Sequence, residues 1–154
     1  MKSKGTVEKS LRQRALEYLA KREYSVKELE QKLKIYADEA DDIAMLLHDF
    51  KVRGWLSDAR FAQQIVQARK RKFGAGKIAH ELREKGVADD LVTEAVTELK
   101  LSEFEYANVA WHRKFSKTAQ TREEWAKQAR FLQSRGFGFE TIKKVLNSKF
   151  DDDN

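Results

Sequence analysis

The chain falls onto itself. Displaced by 49 residues, Tyr24 meets Phe73, Leu29 meets Ile78, Leu33 meets Leu82, Asp41 meets Asp90, Ile43 meets Val92, Leu47 meets Val96 and Phe50 meets Leu99. A further displacement of 50 carries Leu82 to Leu132, Lys85 to Arg135, Gly86 to Gly136 and Val87 to Phe137. In that same register Asp90 falls on Glu140, Val92 on Ile142, Ala95 on Val145 and Val96 on Leu146. One coincidence of spacing means little, but this many in one register identify three tandem copies of one unit. The third copy carries an insertion around Ser116–Arg122.

The unit is helical. None of the 154 residues is proline, against about 5% in an average protein, so nothing in the chain interrupts helices in that way. Six of the seven glycines (Gly54, Gly74, Gly76, Gly86, Gly136 and Gly138) stand between periodic segments, where helices end and begin. The expected fold is all-α: three tandem three-helix repeats in an elongated, curved array of either hand, since each repeat contacts mainly its neighbours. The boundaries expected are a flexible leader over 1–9, repeats over 10–56, 57–101 and 102–150, and an acidic tail over 151–154.

Within the first repeat, Ser10 opens a helix with Leu11, Ala15, Leu16, Tyr18 and Leu19 inward, ending around Arg22–Tyr24. Ser25, with Glu28 three residues on, forms a capping box for a second helix carrying Val26, Leu29, Leu33 and Tyr36. A third helix is expected from about Asp38. It places Ile43, Leu46, Leu47 and Phe50 inward and Asp38, Glu39, Asp41 and Asp42 at the favourable end of the dipole; Gly54 closes it. In the second repeat, Ser57 or Asp58 caps a helix with Phe61, Ala62, Ile65, Val66 and Ala68 inward. Helices from about Gly76 to Lys85 and Asp89 to Leu99 follow. The third repeat is expected to bury Phe104, Ala107, Val109 and Trp111, then Trp125, Ala129 and Leu132, then Ile142, Val145, Leu146 and Phe150. Asp151, Asp152, Asp153 and Asn154 read as a solvated, mobile tail.

Charged residues make up 36% of the chain, but 41% hydrophobic content, with three Trp and nine Phe, argues against disorder. Absence of cysteine excludes disulfides and thiolate chemistry. The N-terminal stretch MKSKGTVEKS lacks the apolar core of a secretory signal, and the longest apolar run, Ile43 to Leu47, is far too short to cross a bilayer. These features predict a soluble, cytoplasmic protein.

The net charge of +6 has a location. Between Asp58 and Glu81 no acidic residue occurs, while Arg60, Arg69, Lys70, Arg71, Lys72 and Lys77 do; without these six the chain balances at 25 basic and 25 acidic residues. From Tyr106 to Phe139, seven basic residues (Arg113, Lys114, Lys117, Arg122, Lys127, Arg130 and Arg135) face only Glu123 and Glu124. Ordinary helix faces mix signs, so these stretches point to a phosphate-rich partner. Trp55, Trp111 and Trp125 sit at helical spacing with other apolar residues and are read as core.

Catalytic chemistry is hard to find. His48, His80 and His112 lie in different repeats and form no metal-binding spacing, so no metal site and no cofactor is expected. Gly74-Ala75-Gly76-Lys77-Ile78 superficially suggests a phosphate loop, but Arg71 stands where that motif needs its first glycine and Ile78 where it needs Ser or Thr. A helix stop followed by a helix start explains the glycines better; a backbone contact to a polymer phosphate at that N-terminus stays open.

Four segments carry a family resemblance. They are Ala15-Leu16-x-Tyr18-Leu19-x-x-Arg22-x-Tyr24-Ser25-x-x-Glu28-Leu29-x-x-Lys32-Leu33; Gly54-Trp55-Leu56-Ser57-Asp58-Ala59-Arg60-Phe61-Ala62; Lys72-x-Gly74 with Ile78-x-x-Glu81-Leu82-x-x-Lys85-Gly86-Val87; and Arg130-Phe131-Leu132-x-x-Arg135-Gly136-Phe137 with Ile142. In this order they resemble the signatures of the RecX regulatory proteins, over about residues 11 to 147. Trp55 departs from the usual tyrosine, Ser57 from a common acid, and Ala37 stands where the first repeat often has glycine.

The resemblance implies negative regulation of the RecA recombinase in homologous recombination, DNA repair and the SOS response. Such a protein lodges in the groove of the RecA–DNA filament and suppresses ATP hydrolysis, filament growth and strand exchange. It implies no enzymatic activity, a monomer, weak and sequence-indifferent contact with DNA, and no membrane. From charge placement, Arg69, Lys70, Arg71, Lys72 and Lys77 are the expected main contacts and Lys127, Arg130 and Arg135 secondary ones. Lys85 and Arg135, at equivalent repeat positions, are alternatively helix caps. The rival readings are a direct DNA-binding helical regulator, which would prefer particular duplex sequences, and a nucleic-acid enzyme, which would need clustered acids or metal ligands.

Overall fold

Ser25 shows how the helices are started. Its hydroxyl accepts from the backbone N–H of Glu28 at 3.1 Å, and the Glu28 carboxylate accepts from the Ser25 N–H at 3.1 Å. Ser10 and Gln13 repeat the arrangement at the first helix. Both capping boxes satisfy donors that a helix N-terminus leaves unpaired. Ser25 is fully buried, and Asp58 adds a third acceptor by taking the Val26 N–H at 2.8 Å. Replacing Ser25 with alanine is expected to cost about 1 kcal/mol, or roughly 2–4 °C in melting temperature, in a thermal melt.

The computed structural model describes residues 8–152, with side chains up to Lys149, and contains nine helices and no strand among them. These are α1 (Leu11–Lys21), α2 (Val26–Lys34), α3 (Ile43–Val52), α4 (Asp58–Arg69), α5 (Ala75–Glu84), α6 (Asp89–Leu101), α7 (Glu103–Lys114), α8 (Arg122–Ser134) and α9 (Phe139–Asp152). The all-α repeat is as the sequence predicts. Most of the expected leader, the Phe150 side chain and the last two tail residues lie outside the description; Asp151 and Asp152 continue the α9 backbone.

The chain divides into two compact bodies, one up to Phe61 and one from Ala62. In the first, Ala15, Tyr24, Leu29, Leu33, Leu47, Phe50 and Leu56 form the core. Several of its surface arginines are paired: Arg12 and Arg53 both reach Asp49, at 3.1 and 3.0 Å, Arg22 reaches Glu28 at 3.2 Å and Arg60 reaches Glu23 at 2.9 Å. Hydrogen bonding from Arg12, then Arg53, holds the Asp49 carboxyl below its ordinary value. In the second body, the α4–α6 segment buries Ala62, Val66, Ile78, Leu82, Val92, Val96 and Leu99. A cluster of Ala107, Ala110, Trp111, Leu132, Phe137, Ile142, Val145 and Leu146 lies under α7–α9.

Several expectations need correction. The third helix begins at Ile43, not Asp38. The Asp38 side chain accepts from the Ala40 N–H and Asp41 from the Asp38 N–H, both at 2.9 Å, so these aspartates close a turn instead of entering a helix; Asp42 is the cap. Leu16, Tyr36, Ala68, Phe104 and Val109 are exposed, not inward. Tyr36 lies against the Arg14 guanidinium, 3.7 Å from its ring centre. Trp55 is also exposed at one edge, packed edge-on against Phe50 at 5.4 Å, while Trp111 is buried and Trp125 half-buried.

Three helices end alike. Gly54, Gly86 and Gly136 take φ of 76°, 81° and 89°. Beside them the N–H groups of Trp55, Val87 and Phe137 reach back to the carbonyls of Phe50, Leu82 and Leu132, the Schellman closure. Ala37, the repeat counterpart of Gly86 and Gly136, does not adopt positive φ, and α2 ends in simple turns from Tyr36 to Leu33 and Ala37 to Lys34.

Candidate nucleic-acid interface

The second body brings together cations that are far apart in sequence. Arg71 and Lys72, from the turn between α4 and α5, line a cleft of about 130 Å3 with Arg113 and Lys114 of α7, Arg135 at the end of α8, and the apolar Ala110 and Phe131. No carboxylate lines it. From Arg135 and Phe131 in its lining, a row in which cations and aromatic rings alternate runs on to Phe73 and Lys77 beside it. Lys77 lies 4.6 Å from the Phe73 ring centre, and the Arg135 guanidinium is 5.5 Å from Phe73 and 5.1 Å from Phe131. Lys114 then lies 5.8 Å from Phe131. Rings orient these cations without neutralising them, each contact contributing about 0.5–1 kcal/mol where exposed.

Folding sorts the predicted residues differently from the linear run. Arg71, Lys72 and Arg135 share the cleft, and Lys77 adjoins it through Phe73, its ammonium also donating to the Ser134 carbonyl at 3.3 Å. Lys70 lies over the Tyr106 ring at 5.6 Å. Arg69 does not line the cleft. Its guanidinium donates to both oxygens of Glu81, at 3.0 and 3.2 Å, and that carboxylate raises its already high pKa. Lys127 lines a separate depression on the other side of Lys114, and Arg130 is exposed on α8 without lining either. Lys85 and Arg135 are the C-cap residues of α5 and α8.

Arg113 and Lys114 are the cleft residues that belong to the second basic run but not to the contacts expected from charge placement. Their sign is visible in the sequence, but their proximity to Arg71 depends on how two repeats dock. That docking occurs at glycines. The Gly74 N–H donates to the Arg135 carbonyl at 2.7 Å, and the Gly76 N–H donates to the Gly136 carbonyl at 3.2 Å. A β-carbon on Gly74 would stand 2.5 Å from the Gly136 carbonyl oxygen, and one on Gly136 would collide with Lys77. The glycines therefore permit close backbone approach, beyond the helix stop and start read from sequence.

The same seam removes the phosphate contact left open at the start of α5. Glu103, itself buried, accepts from the Ala75 N–H at 3.2 Å and from the Thr141 hydroxyl at 2.7 Å. A carboxylate thus already occupies the positive end of this helix. Among the described residues, no group of three His, Asp or Glu side chains is placed to hold a metal ion, and no helix is long and apolar enough to cross a membrane.

Family models for the second and third three-helix domains of RecX match residues 57–96 and 102–146. A relative from Leptothrix cholodnii named regulatory protein RecX is 41% identical over 137 residues, covering 89% of this chain and 87% of its own. One of the same name from Chromobacterium violaceum is 37% identical, with 94% of each chain covered. Among solved structures, RecX from Lactobacillus salivarius superposes with a TM-score of 0.75 at 20% identity, covering 90% of this chain and 93% of its own. Matching models for two of the repeats, and close relatives along nearly the whole length, place the chain in the RecX family of regulatory proteins.

Proposed function

We propose that this chain is a negative regulator of a RecA recombinase. It binds in the groove of the RecA–DNA filament and suppresses ATP hydrolysis, filament growth and strand exchange. The observation that carries this reading is the family relationship, which extends over most of the chain and is specific in its relatives' names. The geometry supports it with a cationic cleft that no carboxylate lines. In this reading Arg71, Lys72, Lys77, Arg113, Lys114 and Arg135 meet filament phosphates or acidic side chains, with Lys70 beside them. The protein works as a cytoplasmic monomer that binds and does not catalyse. Its contact with DNA is weak, salt-sensitive and indifferent to sequence, because cations directed at phosphates carry no base information.

The test is a RecA–single-stranded-DNA ATPase assay with the protein added substoichiometrically. ATP hydrolysis is expected to fall well before protein and recombinase concentrations match, and less so as salt is raised. An unaffected ATPase rate removes the regulatory assignment. Tight binding to one bare duplex sequence in preference to others would instead establish a direct DNA-reading protein.

A further inference from the structure

A second cationic site lies in the third repeat, and of its lining residues only Lys114 and Lys127 have so far been given a role. α7, α8, α9 and the inserted loop over 115–121 enclose a depression of about 1070 Å3. Lys114, Lys117, Lys127 and Lys149 line it, with Glu124 the carboxylate among the lining residues. Glu124 is engaged in holding the loop, since it accepts from the Gln120 N–H at 2.6 Å.

The site is built. Gln128, which is buried, accepts from the Trp111 indole N–H at 2.9 Å, and its amide donates to the Lys117 carbonyl at 3.0 Å. One buried side chain therefore fixes both the floor of the depression and the loop that carries Lys117. Lys149 is placed by an imidazole and an indole. Its ammonium lies 3.0 Å from His112 Nε2 and 5.3 Å from the Trp111 ring centre. An ammonium can only donate, so in this contact the imidazole nitrogen is the acceptor. The contrast with the rest of the chain is consistent. Ion pairs found among the described residues run from Lys9 to Asp89, and none involves α7, α8 or α9.

Lys114 lines this depression and also the cleft beside α5. We infer that the depression is a second phosphate subsite, and that one extended phosphate chain runs from the cleft across Lys114 into it. The ligand is a linear polymer of phosphate groups, with a single-stranded nucleic acid as one source and inorganic polyphosphate as another. Lysines suit it because they meet phosphates as point charges and read no base. The inference rests on the filament reading for the biological setting of the polymer, but not for the contact itself.

The experiment uses the full chain and no recombinase. Fluorescence anisotropy of a labelled oligo-dT strand is titrated at several salt concentrations for the wild type, for Lys117→Glu with Lys127→Glu, and for the milder Lys117→Gln with Lys127→Gln. Both altered side chains are exposed. Losing two phosphate contacts is expected to lower the salt slope by about 1.4 and to weaken low-salt binding roughly 10- to 100-fold in the charge-reversed protein. Inorganic polyphosphate that displaces the strand from wild type, but far less well from the variants, supports a site for phosphate chains in general. No displacement by polyphosphate, with the strand still sensitive to both variants, supports a nucleic-acid site. Wild-type affinity and slope in both variants overturn the inference. So does equal displacement by poly-glutamate, which would make this a face for acidic protein. A chain that binds the strand as expected but leaves the recombinase ATPase untouched would sink the filament reading alone.

Discussion

Gly136→Ala is expected to be among the most destabilising single substitutions in this chain. At φ 89° the new side chain would be held in a left-handed conformation, at about 1–2 kcal/mol. Its β-carbon would also meet the Lys77 β-carbon and backbone, where overpacking adds about 1–3 kcal/mol. The sum, about 2–5 kcal/mol, corresponds to a melting temperature roughly 5–15 °C lower by circular dichroism. Two companions separate the contributions. Gly54→Ala carries the backbone strain alone, since positive φ there looks into open space, and should cost about 1–2 kcal/mol. Gly74→Ala carries the packing contribution, 2.5 Å from the Gly136 carbonyl oxygen without positive φ, and should cost about 1–3 kcal/mol. Equal melting of Gly54→Ala and Gly136→Ala would mean that the close approach between repeats contributes nothing.

The second large effect concerns regulation. Arg71→Glu with Arg113→Glu reverses one cleft cation from each of two repeats, both on exposed side chains. The concentration needed to halve the recombinase ATPase rate is expected to rise about 10- to 100-fold, equivalent to about 1.4–2.8 kcal/mol. The salt dependence of inhibition should flatten while helicity stays unchanged. Arg69→Glu is the informative control. Arg69 belongs to the same basic run, yet its guanidinium faces Glu81, so inhibition should shift less than about 3-fold, as for a surface ion pair. If Arg69→Glu weakens inhibition as much as the double variant, the linear run is the site and the folded cleft is not.

The contrast between those variants shows what a sequence can convey. Repeat number, helical class and the serine caps are legible because their causes are local. A serine with Glu28 or Gln13 three residues on carries its own instructions. Local rules also produce the errors. Asp38 and Asp41 suit a helix start by charge, but equally suit a turn whose N–H groups they can reach, and the turn prevails. Phe104 and Val109 have helical spacing on α7, yet the buried stripe runs through Ala107, Ala110 and Trp111, because α8 and α9 pack on that side.

At the candidate site the limit is sharper. Counting charge along the chain groups Arg69 with Arg71, whereas the fold turns Arg69 toward Glu81 and joins Arg71 to Arg113. Neither the Arg69–Glu81 pair nor the Arg71–Arg113 neighbourhood has a local cause. Both depend on how α4 meets α5 and how two repeats meet at Gly74 and Gly136. The aromatic partners were similarly hidden: Phe73 and Phe131 look like core residues until the row from Lys77 to Lys114 is assembled.

The Glu103 carboxylate at the mouth of α5 bears on how the proposed filament contact would be released. A helix end offers an anion fixed dipoles that belong to the scaffold, and here that end is plugged from inside. Whatever grip the second body has on a polymer is left to side-chain cations, whose hold loosens with each rise in ionic strength. On the proposed reading, a brake of that kind is easily released, and its strength can be retuned one lysine or arginine at a time without disturbing the frame.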